Sequence, residues 1–249
     1  MFADIILDME KKLVIIPTYN EIDNIEAIIR KVMSLDGGYD ILIIDDGSPD
    51  GTADVVEKLQ EEFGRRLNLI ERSGKLGLGT AYLTGFRWAL DQGYDYIFEM
   101  DADFSHNPDD LPRLLSACKD EGADLSIGSR YCNGVSVVNW PIGRILISYF
   151  ASKYVRTILN VNIYDSTAGF KCYTRRVLET LDLDAVRMKG YGFQIEMKYS
   201  AYKLGFKIKE VPVIFVNRQL GASKMSSGIF GEAFWGVMLL RFRKIKPRS

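Results

Sequence analysis

Histidine is nearly absent from this sequence of 249 residues, which contains a single one, His106. Serine–histidine or cysteine–histidine catalysis therefore depends on that one residue, and metal sites built from several histidines are excluded. The three cysteines, Cys118, Cys132 and Cys172, form no CxxC pair, so we expect neither a zinc site nor a disulfide framework. A formal net charge of -1 gives no overall basic field, and we expect no nucleic-acid partner.

Long apolar runs are also missing. The first dozen residues mix charged and apolar side chains, which does not match a secretory signal. No apolar stretch approaches the roughly 20 residues that cross a bilayer, so a protein of this kind that acts on lipid would lie on the membrane or borrow an anchor. Because 47% of the residues are hydrophobic and 26% are charged, we predict a globular chain. We predict a single domain over 1–249, with its core at 12–220 and an amphipathic, basic segment at 226–249.

Short apolar runs alternate with segments of helical periodicity through the first half of the chain. The runs predict strands at 13–16, 41–44, 67–70, 96–100 and 125–127. The apolar spacing predicts helices at 24–35, 55–63, 77–90 and 108–118, and later at 140–160, 191–204 and 232–242. A further alternating stretch at 206–216 predicts a strand. This order predicts an α/β fold with a mostly parallel sheet flanked by helices.

Polar clusters follow three of the predicted strands, at 17–21, at Asp45–Asp46 and at Asp101–Asp103. In open parallel sheets, ligands bind outside the carboxyl ends of the strands. Asp101 and Asp103 can both reach one Mg²⁺ or Mn²⁺, which shares its ligands with substrate phosphates. An isolated DxD is usually a solvated loop, but this one ends a buried strand. Asp46 can accept hydrogen bonds from a ribose or a base edge, and we expect both Asp45 and Asp46 to be available to a ligand.

Two other features concern phosphate binding. The glycine-rich stretch 74–79 lacks the Walker spacing and does not follow the first strand, so it is neither a P-loop nor a dinucleotide fingerprint. Arg218 and Lys224 flank the small residues 221–223, which indicates a loop that closes over an anion. A pair of solvated surface charges is the alternative, and the sequence favours neither.

Nine short strings, in the same order along nearly the whole chain, resemble the family 2 glycosyltransferases, and among them the dolichyl-phosphate (polyprenyl-phosphate) mannosyltransferases. The strings are PTYNE at 17–21, IIDDGSPDGT at 43–52, GKLGLGTAY at 74–82, MDADFSHNP at 100–108, GSRY at 128–131, NWP at 139–141, STAGFK at 166–171, GYGFQIE at 190–196 and EVPVIFVNRQLGASKM at 210–225. A match to any one string is weak evidence for the family, whereas matches to nine strings in the same order are specific to it.

The resemblance implies a GT-A fold and inverting, metal-dependent transfer of mannose from GDP-mannose to dolichyl or another polyprenyl phosphate. By similarity, the nucleotide sugar is bound by Pro17, Tyr19, Glu21, Ile44, Asp46, Asp101, Ala102, Asp103, Ser105, Arg130, Arg218 and Lys224. By the same similarity, the metal is bound by Asp101, Asp103 and Ser105, although some relatives carry glutamine at the position of Ser105. Arg144 and Ser148 match positions that receive the lipid phosphate. Asp103 and Arg144 are the residues that we expect to be catalytic.

A lipid phosphate is already ionised near neutral pH, so its attack needs no carboxylate base. Gln194 lies near the position where relatives that use hydroxyl acceptors carry an acidic base. Glu196 is the nearby carboxylate, and we interpret it as structural or sugar-binding.

The C-terminal segment combines apolar residues with clustered cations, as suits an anionic bilayer surface. Its apolar residues are Phe230, Phe234, Trp235, Val237, Met238 and Leu239, followed by five cations between Arg241 and Arg248. The alternative is a core-packed helix with a solvated basic tail. Family members have either transmembrane helices or anchoring subunits. We therefore expect a cytoplasmic protein, peripheral at the cytoplasmic face of a membrane, with small anchoring subunits as candidate partners.

Two other functions are compatible with the sequence. One is a polyprenyl-phosphate glucosyltransferase or another family 2 enzyme that uses a UDP-sugar. The other is a subunit that binds sugar nucleotide without turnover.

Overall fold

The structure, a computed structural model, describes residues 10–188, 190–217 and 228–248, and for 228–233 the backbone alone. The first half of the chain alternates strands and helices. In chain order these are β1 (Lys12–Thr18), α1 (Ile25–Met33), β2 (Tyr39–Asp45), α2 (Thr52–Phe63), β3 (Leu67–Glu71), α3 (Leu78–Asp91), β4 (Tyr96–Glu99), α4 (Leu111–Lys119) and β5 (Leu125–Ser129). Each lies where the sequence predicts it, because continuous apolar runs form the buried strands and amphipathic segments form the covering helices.

The second half departs more from the prediction. Its elements are β6 (Val137–Val138), α5 (Ile142–Leu159), β7 (Lys171–Thr174), α6 (Arg175–Thr180), α7 (Gly190–Lys203), β8 (Ile208–Pro212), β9 (Phe215–Val216) and α8 (Gly228–Phe242). The three predicted helices are present. The single strand predicted at 206–216 is two short strands, β8 and β9. The sequence patterns did not predict β6, β7 or α6.

Seven strands form one sheet in the order β3-β2-β1-β4-β7-β5-β8, and β6 pairs with β9 in a separate two-stranded sheet. Within the large sheet, β7 alone is antiparallel to its neighbours, so the predicted mostly parallel α/β sheet is confirmed. Because β7 runs in the opposite direction, its first residue, Lys171, pairs with Glu99 at the end of β4.

Two apolar cores cover the two faces of the sheet. Leu42 and Ile44 of β2 point to the face that packs against α3 and α7. Ile41 and Ile43 point to the opposite face, against α1, α2 and α4, as the two-residue period of a strand requires. In the described part of the chain, the helices are too short or too polar to cross a membrane.

Candidate active site

The carboxyl ends of three parallel strands meet at one edge of the sheet. Thr18 at the end of β1 lies beside Asp45 at the end of β2, and Glu99 at the end of β4 lies beside Ile15 of β1. The residues that follow these strands therefore start from neighbouring positions, as the sequence predicts.

Asp45 is the last residue of β2, and the prediction that it is available to a ligand was wrong. Its carboxylate is fully buried. It accepts hydrogen bonds from Thr18 Oγ1 at 2.8 Å, from the Ser48 N–H at 2.7 Å and from Ser48 Oγ at 2.6 Å. Asp45 therefore joins the ends of β1 and β2, and its oxygens are already satisfied.

Asp46 lies next to it and is held differently. Arg72 Nε donates to Asp46 Oδ1 at 2.6 Å, and the same guanidinium donates to Thr80 Oγ1 at 2.8 Å, at the start of α3. In the described part of the chain, Arg72 is the side-chain partner of Asp46 and bonds only to Oδ1. The second oxygen, Oδ2, remains available for the predicted contact with a nucleotide.

Ile44 requires a correction. Its side chain is fully buried and packs beneath α3, where a Cβ placed on Gly85 would lie 3.0 Å from Ile44 Cδ1. The side chain therefore does not face the rim predicted for the nucleotide, because position 44 points to the helix-covered face of the sheet.

The segment after β1 carries Tyr19 and Glu21. The ammonium group of Lys75 lies 4.9 Å from the centre of the Tyr19 ring, which brings the glycine-rich stretch 74–79 to the same edge of the sheet. Glu21 is buried, and its carboxylate accepts a hydrogen bond from Asn24 Nδ2 at 3.1 Å. Pro17, still within β1, is half-buried.

The acidic turn after β4 is the centre of the site. Asp101 and Asp103 are half-buried, and Ala102 between them is buried. Phe104 adopts a φ of 58°, a left-handed conformation that is costly for a bulky side chain. Ser105 donates two hydrogen bonds to Asp103 Oδ1, from its hydroxyl at 2.6 Å and from its N–H at 3.0 Å. Ser105 thus orients the Asp103 carboxylate.

His106 lies directly beneath this turn. Its Nδ1 accepts the backbone N–H of Asp101 at 3.0 Å, and its ring stacks on Phe170 at 4.9 Å. Burial lowers the pKa of His106 to about 4, so the ring is neutral near pH 7 and its proton is on Nε2. The only histidine of the chain therefore supports the acidic turn as a hydrogen-bond acceptor.

The donors at the turn fit a hard divalent cation. Asp101 and Asp103 offer carboxylate oxygens at the rim, and such a cation completes its shell with water and substrate phosphates. Within the described ranges, no group of three or more His, Cys, Asp or Glu side chains is arranged to hold a metal alone. A metal at this turn would therefore be shared with the ligand.

Arg130, at the end of β5, forms a buried ion pair with Asp165. Its Nε and Nη2 donate to the two carboxylate oxygens at 2.7 and 2.6 Å, and Nη2 also donates to Thr167 Oγ1 at 2.8 Å. Burial alone would raise the pKa of Asp165, but the Arg130 charge outweighs it and holds that pKa below its usual value. Arg130 thus fixes the 165–167 loop, and its predicted contact with a sugar or phosphate stays a prediction.

Arg144 and Ser148 lie on α5. Arg144 donates to Asn217 Oδ1 at 2.8 Å, and its guanidinium lies 4.0 Å from the centre of the Trp140 ring. Ser148 Oγ accepts a hydrogen bond from the Tyr131 hydroxyl at 2.7 Å.

Tyr191, at the start of α7, connects these two sides. Burial raises the pKa of its hydroxyl, and four charged groups act on the same hydroxyl: Asp101, Arg144, Arg130 and Asp103. Residues predicted for the metal and for the acceptor therefore both lie within electrostatic range of this one hydroxyl.

A buried polar network joins β4, β7 and α7. The ammonium group of Lys171 pairs with Glu99 Oε1 at 2.9 Å and donates to Gln194 Oε1. Gln194 Nε2 donates to Glu99 Oε2 at 2.8 Å, and the Tyr173 hydroxyl donates to Glu99 Oε1 at 2.9 Å. All four side chains are buried, and the carboxylate is neutralised by a fixed cation.

Glu196, the other carboxylate of α7, is also fully engaged. Its Oε2 accepts the N–H groups of Arg187 and Met188 at 3.0 and 2.8 Å, and its Oε1 pairs with Arg243. Glu196 is therefore structural, one of the two roles that the sequence left open. Because Arg243 is held in this way, part of the basic C-terminal tail is packed against the body of the protein.

The exposed apolar residues of α8 are accompanied by others on α5. Phe234, Trp235 and Leu239 are exposed, at 48%, 68% and 73%, as the bilayer-facing alternative requires. Val237 is buried in the core, as the core-packed alternative requires, because it lies on the opposite face of the helix. Phe230 lies outside the described side chains. On α5, which packs on α8 through Tyr154 and Phe234, Ile142, Ile147 and Phe150 are also exposed.

Comparison with known proteins decides the family. The model of the glycosyl transferase family 2 matches residues 13–182, which include the acidic turn, Arg130 and Arg144. The chain is a family 2 glycosyltransferase. The resemblance found in the sequence is therefore confirmed.

Two named relatives of this glycosyltransferase cover most of it. It is 48% identical to polyprenol monophosphomannose synthase of Mycolicibacterium smegmatis, over 92% of this chain and 88% of that protein. It is 47% identical to undecaprenyl-phosphate mannosyltransferase of Micrococcus luteus, over 90% of this chain and 93% of that protein.

A solved structure has the same fold. Glucosyl-3-phosphoglycerate synthase from Mycobacterium tuberculosis, in complex with Mn²⁺, UDP and phosphoglyceric acid, superposes with a TM-score of 0.70 at 17% identity. The match covers 94% of this glycosyltransferase and 79% of that chain. The predicted GT-A fold is therefore confirmed.

Two predicted residues of the glycosyltransferase, Arg218 and Lys224, lie outside the described residues.

Sequence reasoning gave no role to Arg72, Tyr191 or Asn217. The strings that carry the resemblance contain Tyr191 and Asn217, so attention to each polar residue in those strings would have found both. Arg72 lies outside all nine strings, and only the fold shows its contact with Asp46.

Proposed function

We propose that this glycosyltransferase moves mannose from GDP-mannose to the phosphate of a polyprenyl lipid such as dolichyl phosphate, with inversion at the anomeric carbon. The names of the two relatives support mannose and a polyprenyl phosphate as the transferred sugar and the acceptor. The base of the nucleotide, the inversion and the metal dependence are part of the proposal.

The single observation that carries the proposal is the state of the carboxylates around α7. Gln194 presents an amide, Glu99 is paired with Lys171, and Glu196 is held by two N–H groups and Arg243. None of these three side chains can act as a base toward a hydroxyl acceptor. A phosphate acceptor needs none, because it is already ionised near neutral pH.

The remaining roles follow from position and charge. Asp101 and Asp103 would hold Mg²⁺ or Mn²⁺, which supplies Lewis-acid stabilisation to a leaving diphosphate when bound. Ser105 keeps Asp103 oriented. Asp46 and Tyr19 would bind the nucleoside, and Arg218 and Lys224 would contact its phosphates. Arg144 would clamp the acceptor phosphate, since a guanidinium binds phosphate oxygens in a planar, two-pronged manner.

We further propose that the protein works at a membrane surface. The exposed apolar residues of α5 and α8 lie side by side, and Tyr131 and Ser148 are close to them on the acceptor side. Exposed apolar patches of this kind mark interaction surfaces, and a polyprenyl lipid is itself in a membrane. Location at the cytoplasmic face and anchoring by small subunits stay predictions.

The test is transfer of radiolabelled sugar to a short-chain polyprenyl phosphate in detergent, with GDP-mannose, UDP-glucose and UDP-GlcNAc compared as donors. We expect product with GDP-mannose alone and only when Mg²⁺ or Mn²⁺ is present. Asp103→Ala should abolish transfer and weaken nucleotide binding. Asp109→Ala is the matched control, because this nearby carboxylate is exposed and pairs with Lys31.

Two other results of this assay would indicate a different function. Product with a UDP-sugar would replace the donor in the proposal and favour a polyprenyl-phosphate glucosyltransferase or a related enzyme. Binding of GDP without product, in wild type and with every donor, would indicate a sugar-nucleotide-binding subunit and overturn the proposal.

A further inference from the structure

A cleft of about 500 Å³ lies along the outer side of α5, next to the acceptor residues. Four tyrosines and two cations line it, namely Tyr131, Tyr149, Tyr164, Tyr202, Lys153 and Arg156. Tyrosines combine an apolar ring with a polar tip and favour the boundary between an apolar and a wet region. The composition of this wall therefore differs from that of a buried cavity and from that of an ordinary surface groove.

The outward face of α5 changes character along its length. In the first half, Ile142, Leu146 and Phe150 are exposed at 76%, 50% and 57%. In the second half, Lys153 is exposed and Arg156 is half-buried at the cleft. A helix that enters a membrane interface obliquely, with its apolar end first, places apolar side chains among the acyl chains and its cations at the depth of the headgroups.

The two cations form no ion pair with a carboxylate in the described part of the chain. The Arg156 guanidinium lies instead 4.1 Å from the centre of the Tyr164 ring. Glu210, which bonds to the backbone of Tyr164, has both oxygens engaged, by the N–H groups of Tyr164 and Asp165 at 2.7 and 2.8 Å. The cleft therefore presents positive charge that an external anion can neutralise.

The cleft shares a wall with the acceptor site. Tyr131 lines the cleft, stacks edge-on with Tyr149 at 5.8 Å and donates its hydroxyl hydrogen to Ser148. The acceptor phosphate itself must reach Arg144 and Ser148 to react. An anion at Lys153 and Arg156 is consequently a second group, held beside the acceptor.

We propose that this cleft binds the phosphate headgroup of an anionic bilayer phospholipid through Lys153 and Arg156, with the apolar half of α5 inserted among the acyl chains. The proposal depends on the membrane location proposed above and identifies the lipid class that the surface recognises. One headgroup bound here orients α5, and with it Ser148, toward the bilayer that supplies the acceptor.

Co-sedimentation with vesicles tests the proposal. Wild type and Lys153→Gln/Arg156→Gln are compared on phosphatidylcholine vesicles and on vesicles that also contain phosphatidylglycerol, at physiological salt. We expect the double variant to lose about tenfold in affinity for the anionic vesicles, since each basic residue near such a surface contributes measurably. Its binding to pure phosphatidylcholine should stay that of wild type.

Lys58→Gln/Arg65→Gln is the matched control. It removes the same charge from two exposed cations on α2 and the turn after it, a part of the molecule that packs on β3. We expect it to bind anionic vesicles nearly as wild type does. Equal losses in the two double variants would mean that net charge alone drives binding, and wild-type binding by Lys153→Gln/Arg156→Gln would show that the cleft holds no headgroup. Either result overturns the proposal.

The transfer assay in detergent, without phospholipid, distinguishes whether the cleft binds the polyprenyl phosphate acceptor or a bilayer phospholipid. There the KM of the Lys153→Gln/Arg156→Gln variant for a short polyprenyl phosphate should equal that of wild type. A raised KM would assign the cleft to the acceptor and refute the phospholipid. If wild type transfers no sugar in this assay, the proposed function fails, while the vesicle comparison still decides what the cleft binds.

Discussion

The backbone N–H of Asp101 donates a hydrogen bond to Nδ1 of His106, 3.0 Å away. The imidazole is held by its stack on Phe170 and by burial, so the acceptor is fixed in place. Because Phe104 in the same turn has a left-handed backbone, the turn needs such support to keep its shape. His106 is thus a positioning residue for the two carboxylates.

His106→Phe tests this role. Phenylalanine keeps the ring against Phe170 but removes the acceptor, and an unsatisfied buried N–H costs about 1–3 kcal/mol. We expect sugar transfer to fall about tenfold or more and the metal concentration for half-maximal rate to rise. His106→Gln, which restores an acceptor, should recover part of both. Equal metal dependence in His106→Phe and wild type would contradict the assignment.

Arg144→Ala tests the acceptor side. Loss of the guanidinium would remove the charge-assisted hydrogen bonds proposed to hold the lipid phosphate, each worth about 1.5–3 kcal/mol. We expect the KM for a short polyprenyl phosphate to rise about tenfold or more, whereas GDP affinity, measured by calorimetry, stays unchanged. Arg87→Ala, which breaks an exposed pair with Asp184, is the control. A parallel loss of GDP affinity in Arg144→Ala would refute the division between donor and acceptor residues.

The Glu99–Lys171 pair predicts a large effect on stability. Lys171→Met leaves a buried carboxylate without its counter-ion, which costs about 3–5 kcal/mol in the free energy of unfolding. The double change Glu99→Gln/Lys171→Met should recover much of that loss. Arg175→Met, which breaks an exposed pair with Glu179, should cost less than about 1 kcal/mol. Urea unfolding measures all three, and a similar cost for both single changes would argue against the buried pair.

The Arg130–Asp165 pair predicts an acid dependence. The pKa of Asp165 is lower in the folded protein than in the unfolded chain, so its contribution to stability is complete above the unfolded value of about 3.9 and is lost as the pH falls through the lower, folded value. Asp165→Asn should therefore be less stable than wild type at pH 7, by a difference that shrinks below about pH 4. Asp184→Asn, at an exposed position, is the control. A constant difference down to pH 3 would contradict the sign of the shift.

The parallel half of the fold could be predicted because burial on both faces makes each strand a continuous apolar run. Strand β7 was not predicted because it is short and begins with Lys171, a residue type that is typical of the surface. Its ammonium group is tolerated in the core only because Glu99 and Gln194 lie opposite it. That compensation comes from distant parts of the chain and leaves no local pattern.

The site could be predicted in part. The strand ends predicted where Asp101 and Asp103 lie, whereas Arg144 and Ser148 came from the family resemblance alone, and the roles of all four stay predictions. The errors at Ile44 and Asp45 have one cause, because a strand end tells where a residue is but not which way its side chain points or what already binds it. For the same reason the sequence left two alternatives for α8, since the burial of Val237 depends on which face of the helix packs on the body.

The reversal of β7 places both residues proposed for the acceptor phosphate within one excursion of the chain. The N–H of Gly128 bonds to the carbonyl of Phe170 at 2.9 Å, so the polypeptide leaves the sheet after β5 and re-enters it beside its point of departure. Arg144 and Ser148 belong to this excursion, whereas Tyr19, Asp46 and the acidic turn precede it. An excursion with adjoining ends can be exchanged without disturbing the strands, which would replace the residues proposed for the acceptor while Asp46 and the acidic turn stay in place.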